Sequence, residues 1–362
     1  MTIAARSEED SLSPTVRYQL SFSRILNILF GVTGISYYQG DYNCMKQQHL
    51  PFFQSPTGDR PFLAMGLLLA GVFTLALQDA TVKLIAPETS FWQFQTIRAI
   101  GNALFIVMLA MISGGYGLLV PQNWRPVYFR AVMLSICMFC FFSGAPYLTV
   151  AQMAAGLYTY PLFVLLLAGP ILGEKVGPWR IAALMIGAVG ALFILDPLNA
   201  RFSPIQLLPV AAGFFYACNI LTLRHSCRHE NPLSLTIAVA VLFFLTGLVG
   251  VVILTLFPVP ADIAAAMPFV AIGWPELTWL IFGVAIACSV LNLSGNICLA
   301  RAYQTADSSW LAPIDFTYLL FAAFWGRVIF DAWPPQQALL GMSLIAFAGI
   351  LTAWREQKRQ AN

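Results

Sequence analysis

Charged and amide side chains standing inside long apolar runs are the chemically informative residues of this chain. Near the centre of a bilayer each Asp, Lys or Arg costs about 2.5–3.5 kcal/mol to insert, so such residues need a reason to be there. Gln78 and Asp79 precede Lys83 in LALQDATVK, and Asp79 and Lys83 are four residues apart, on one helical face. Gln95, Arg98 and Asn102 repeat as i, i+3, i+7, again on one face, and Ser289, Asn292 and Asn296 follow at steps of three and four. Asp315 and Tyr318 share a face just beyond Pro313, while Gln152, Tyr158 and Tyr160 surround Pro161. Arg98 or Lys83 can hold a carboxylate or phosphate while Asp79 tunes it; equally, Asp79, Lys83 and Arg98 can form a structural ion-pair network. The two Asn of one stripe can line a cavity or bond neighbouring helices. Asp315, five to seven residues into its run, lies roughly 10 Å deep by helical rise. Burial disfavours its charged form there, which suits a proton-coupling site or a counter-charge for a cationic solute. The tyrosine rings can stack on a planar solute.

The elements that carry these residues are apolar spans of membrane-crossing length. Ten are expected: Pro61–Ile85, Phe91–Ile112, Tyr128–Tyr147, Val150–Leu172, Trp179–Leu195, Ile205–Leu223, Pro232–Leu256, Leu277–Ala300, Ser309–Phe330 and Gln336–Trp354. Between them stand helix-stopping segments such as APETS (86–90), LGEKVGP (172–178), DPLNARFSP (196–204) and DAWPP (331–335). Glu174 and Asp331 each close a span beside such a turn and read as helix caps or gate-side ion-pair partners. Tryptophans 92, 124, 179, 274, 310, 333 and 354 fall near span ends, where indole favours the interface.

Composition agrees. Of 362 residues, 59% are hydrophobic and 10% charged, whereas a soluble domain carries about 25% charged residues. Lipid must therefore cover much of the surface, and the class is all-α and polytopic. A net charge of +3 gives no reason to expect a nucleic-acid partner. Seven cysteines, mostly in apolar runs, do not form a disulfide framework. Cys137 and Cys140 have C-x-x-C spacing but lie in LSICMFCFF, where a thiol packs as a small apolar group. The three histidines form no metal-binding set, and no cofactor is expected. No Gly-Lys-[Ser/Thr] phosphate loop is present, and the His and Asp clusters of lipid-modifying membrane enzymes are missing, so an integral-membrane enzyme is the weaker alternative.

Basic residues orient the chain. Arg125, Arg130, Lys175, Arg180, Arg224, Arg228 and Arg301 fall on one side, with Arg355, Lys358 and Arg359 in the tail, against Arg201 and Lys83 on the other. Both termini are therefore expected on the cytoplasmic face of a bacterial-type inner membrane. Residues 1–60 contain ILNILFGVTGISYY (25–38), too short to span. They are expected to be a cytoplasmic extension without fixed structure or lying on the surface, or to precede a start at Met45.

A weak internal repeat organises the remainder into 61–195 and 205–355, followed by a tail at 356–362. A shift of 157 sets residues 157–174 on 314–331, Pro161 on Tyr318 and Glu174 on Asp331. A shift of 141 sets Gln78 on Asn219 and Lys83 on Arg224. With five spans each, the halves must be inverted relative to one another, an architecture of secondary transporters with a midplane solute site.

The string AQMAAGLYTYPLFVLLLAGPILGEKVGPW resembles the signature of the EamA branch of the drug/metabolite transporter superfamily, and ARAYQTADSSWLAPIDFTYLLFAAFWGRVIFD resembles its second-half copy. LALQDATVKLI and FWQFQTIRAI resemble the family's first two helices, including the Arg of the second. Gln152 stands where an acidic residue is usual, Asp331-Ala where Gly-Glu is usual, and Asp315 adds a charge. The resemblance implies ten helices in two inverted repeats, alternating access, and a small organic substrate: amino-acid-like, nucleoside-like or drug-like, S-adenosylmethionine among them. Lipid bilayer, substrate and protons as coupling ion are the expected partners, with a monomer or homodimer as the assembly.

Overall fold

The computed structural model describes residues 61–113, 115–172, 178–195, 203–227, 230–305, 311 and 314–360. The expectations for residues 1–60 and for Glu174 lie outside them. Among the described residues the chain is helical, with no strand. Its principal helices are α1 (Pro61–Ile85), α2 (Phe91–Ser113), α3 (Trp124–Ser143), α4 (Val150–Leu157), α5 (Tyr160–Leu172), α6 (Pro178–Leu195), α7 (Leu208–Ser226), α8 (Pro232–Leu256), α9 (Trp279–Thr305), α10 (Thr317–Phe330) and α11 (Gln336–Gln360).

Among the described residues, six stretches are long and apolar enough to cross a membrane: Phe62–Ile85, Phe91–Ser113, Trp124–Ser143, Pro204–Leu223, Pro232–Leu256 and Trp279–Ala302. Ile181–Ile194, Thr317–Phe330 and Gln336–Leu351 are apolar but shorter. The protein is an integral membrane protein, and α2 shows why. Ile100, Leu104, Met108 and Met111 are exposed at steps of four, four and three, while Gln95, Arg98 and Asn102 are buried on the opposite face. Polar inside and apolar outside is the reverse of a soluble amphipathic helix.

The expected span Val150–Leu172 is two helices. Pro161 has no N–H to continue the ladder and disfavours helical geometry at the residue before it. The chain turns at Tyr158 and Thr159, where the Thr159 hydroxyl donates to the Gly156 carbonyl at 2.6 Å. Gly156 is required at this bend, because a Cβ there would lie 2.4 Å from Pro209 on α7. The third span starts and stops four residues earlier than expected, ending at Ser143 before Gly144 and Pro146. The sixth opens with a 3₁₀ turn, Pro204–Leu207, before α7.

Helix packing is reciprocal between the halves. The first long helix of each half packs on the third of the other: α1 on α9, and α7 on α3. α1 also packs on α10, as α7 packs on α4 and α5. The second helices, α2 and α8, meet along one seam, and the last, α6 and α11, along another. In the latter a Cβ on Gly341 would sit 2.5 Å from the Gly190 carbonyl oxygen, so the two backbones touch. Small residues allow this approach where hydrophobicity supplies no force between helices.

Candidate functional site

Two carboxylates lie where α1, α4, α5 and α10 converge. Asp79 accepts a hydrogen bond from the Tyr318 hydroxyl and another, at 2.9 Å, from the Gln78 side-chain amide. Asn292 on α9 donates in turn to Gln78 Oε1 at 2.8 Å. Asp315, just ahead of α10, accepts from Tyr160 at 3.4 Å and from Tyr158 at 3.5 Å, and the Tyr158 hydroxyl also reaches the Asp315 carbonyl at 3.2 Å. The bonds are crossed: each carboxylate takes a tyrosine from the other half of the chain. Tyr158 and Tyr318 stack on each other, ring centroids 5.0 Å apart and planes 11° from parallel. Tyr160 stands edge-on to Tyr158 at 5.7 Å and to Tyr216 of α7 at 4.9 Å, and Phe316 stands edge-on to Tyr158 at 5.6 Å. The result is an aromatic box with a carboxylate on each side.

The break between α4 and α5 makes this box. An unbroken helix would set Tyr158 and Tyr160 on faces about 200° apart at the ordinary helical rotation; the turn lets both hydroxyls reach Asp315. The capping box that starts α4 fixes the same segment. Thr149 Oγ1 accepts from the Gln152 backbone N–H at 3.2 Å, while Gln152 Oε1 accepts from the Thr149 backbone N–H at 2.9 Å. Gln152 therefore caps a helix, its side-chain oxygen bonded to Thr149, and it lines a small cavity with Gly156 and Thr159.

The expected Asp79–Lys83 pair does not form. Lys83 donates to the Ala145 carbonyl at 2.7 Å and lies over the Phe330 ring, 5.4 Å from its centroid. Tyr318 and Gln78 offer Asp79 partners that are already buried, so bending Lys83 inward is unnecessary. Arg98 is 1% exposed and donates one Nη2 bond to Gln95 Oε1 at 2.7 Å. Phe94, Phe142 and Phe243 surround its guanidinium at 5.3, 5.4 and 5.5 Å. Arg98 and Asp79 lie within electrostatic reach of each other without a direct bond. Asn102 and Asn219 are buried, each with its Oδ1 unbonded among the described residues. Asn296 is exposed and bonds the Asn292 carbonyl of its own helix at 2.8 Å. Asp331 is an exposed left-handed cap of α10 at φ 53°, paired with Arg327.

Two sets of polar contacts escaped sequence reasoning. Glu230, before α8, accepts from the backbone N–H groups of Gln122 and Asn123 at 2.9 and 2.6 Å. At the opposite end of α2 and α8, Ser90, Trp92 and Gln93 donate to the carbonyls of Gly273, Val270 and Pro275, each at 2.8 Å. In sequence the only signal was position: each lies beside a helix start, where backbone groups need partners. Among the described residues no cluster could hold a metal ion.

Residues 62–196 match the EamA-like transporter family. A riboflavin transporter of Vibrio cholerae is 28% identical over 298 residues, covering 82% of this chain and 93% of that one. A pseudopaline exporter of Pseudomonas aeruginosa is 25% identical over 301 residues, covering 80% and 95%. An S-adenosylmethionine uptake transporter of Rickettsia bellii is 22% identical over 299 residues, covering 82% and 95%. A solved crystal structure superposes with a TM-score of 0.52 at 17% identity, covering 82% of this chain and 97% of that one, a likeness of fold. The EamA-like match thus covers residues 62–196, and relatives named as transporters align with most of the chain.

Proposed function

We propose that this chain is an EamA-like secondary active transporter that carries a small planar metabolite across the cytoplasmic membrane by alternating access, with riboflavin as the first substrate to test. In this reading ten membrane crossings form two inverted five-helix repeats, both termini face the cytoplasm, and protons exchanged at Asp315 couple the cycle. The observation that carries it is the stacked Tyr158–Tyr318 pair between Asp79 and Asp315. Parallel tyrosine faces match the surface of a flat heteroaromatic ring, and crossed bonds between halves are contacts that a solute entering the box must exchange. The reciprocal packing of α1 on α9 and α7 on α3 supports the repeat, and the two seams supply surfaces about which the halves can rock. Riboflavin is suggested by the relatives that bear that name and by the flatness of its tricyclic ring.

S-adenosylmethionine is the second reading, favoured by one observation: a cationic sulfonium is attracted to tyrosine faces and to two flanking carboxylates. Uptake of labelled riboflavin and S-adenosylmethionine into proteoliposomes tests both. Accumulation of riboflavin that Tyr158→Ala lowers at least tenfold is the expected result. Transport of neither compound nor of any member of a broad metabolite panel, with an acid-inside or acid-outside gradient, overturns the proposal.

A further inference from the structure

The helix α2 carries a second group of polar side chains that the tyrosine box does not use. Arg98 makes its one side-chain hydrogen bond through Nη2, and its Nε and Nη1 donors have no partner among the described residues. The Gln95 side-chain nitrogen, one turn away, is also buried without a partner among the described residues. Buried donors almost always find acceptors, and an unmade bond at a charged group is costly. The three phenylalanine rings offset the charge of the guanidinium but accept none of its N–H bonds well. Nε and Nη1 lie on different edges of the guanidinium, and the second Nη2 proton completes a two-donor edge with one of them; beside an amide with open donors, that edge is the complement of a planar acceptor edge.

We propose that Arg98 and Gln95 form a subsite that takes a planar acceptor edge of the transported solute, the two acceptors lying side by side as in a carboxylate or in a carbonyl oxygen and adjacent unprotonated ring nitrogen of a heterocycle. This rests on the transporter reading and extends it: the aromatic box holds the ring face, and α2 holds one edge. Asp79, within electrostatic reach of Arg98 and bonded to Tyr318, joins the two regions. The subsite explains why Arg is used where Lys would supply charge alone.

The test measures binding to purified protein in nanodiscs with two probes: riboflavin, whose ring bears a carbonyl oxygen beside an unprotonated ring nitrogen, and a panel of aromatic carboxylates. Two variants are compared. Arg98→Lys keeps the charge and loses the fork. Gln95→Glu supplies an internal carboxylate to Arg98. The expected result is a loss of affinity of about tenfold or more in both variants, with Gln95→Glu at least as thermally stable as the parent. A stable Gln95→Glu that binds as the parent does overturns the proposal, whatever Arg98→Lys does. Riboflavin bound equally by all three proteins leaves the transport reading standing and removes the subsite. Failure of riboflavin, with a carboxylate bound in an Arg98-dependent way, keeps the subsite and removes riboflavin as substrate. Binding of neither probe to the parent overturns it.

Discussion

At the scale of single residues, the energetic expense of a buried charge is what singled out Asp79, Arg98 and Asp315, and the structure buries Arg98 and sets each carboxylate among hydrogen-bond donors. Their partners were not legible. Tyr318 is 239 positions from Asp79, and nothing local distinguishes a hydroxyl at that distance from a lysine one helical turn away. Tyr216 was missed for the same reason, its contact with Tyr160 being tertiary. Removing one crossed bond should weaken the site without emptying it. Tyr318→Phe is expected to lower uptake about tenfold, the size of a hydrogen bond to a charged group. Tyr158→Phe should do the same through Asp315, and the double variant should lose less than the product if the stacked rings act together. Initial rates in proteoliposomes, normalised to protein inserted, check both, and additive losses would show that the carboxylates work separately.

At the scale of elements, helix ends set by Pro or by a break in apolarity were readable. Pro61–Ile85 and Pro232–Leu256 come out as expected. The break inside Val150–Leu172 was not read, although Pro161 stood in view, because its apolar residues continue without interruption. Two substitutions measure what holds these elements. Thr149→Ala removes one arm of the capping box and should lower thermal stability by about 1 kcal/mol; a larger effect on affinity than on stability would mean that the α4 start also positions the tyrosines. Gly341→Val forces side-chain atoms into the Gly190 backbone and should cost about 1–3 kcal/mol or more. A melting temperature unchanged by Gly341→Val would mean that the α6–α11 seam is loose.

For the whole molecule, composition and basic-residue bias gave the class and an expected orientation, whereas the reciprocal packing needed coordinates, since a weak repeat says nothing of which helices touch. Glu230 ties the start of α3 to the start of α8 through backbone N–H groups alone. Glu230→Ala leaves two such donors without their acceptor and is expected to cost about 1–3 kcal/mol in stability. Measured in nanodiscs, no change in melting temperature would show that water replaces the carboxylate at that end. The pairing of α1 with α9 and α10 also bears on how the chain is made. At ribosomal rates of 5–20 residues per second, roughly 10–50 s separate the emergence of Asp79 from that of Tyr318. Through that interval the Asp79 carboxylate has Gln78 of its own helix as a donor but not the hydroxyl of Tyr318, so α1 reaches its final bonding only when the end of the chain is made.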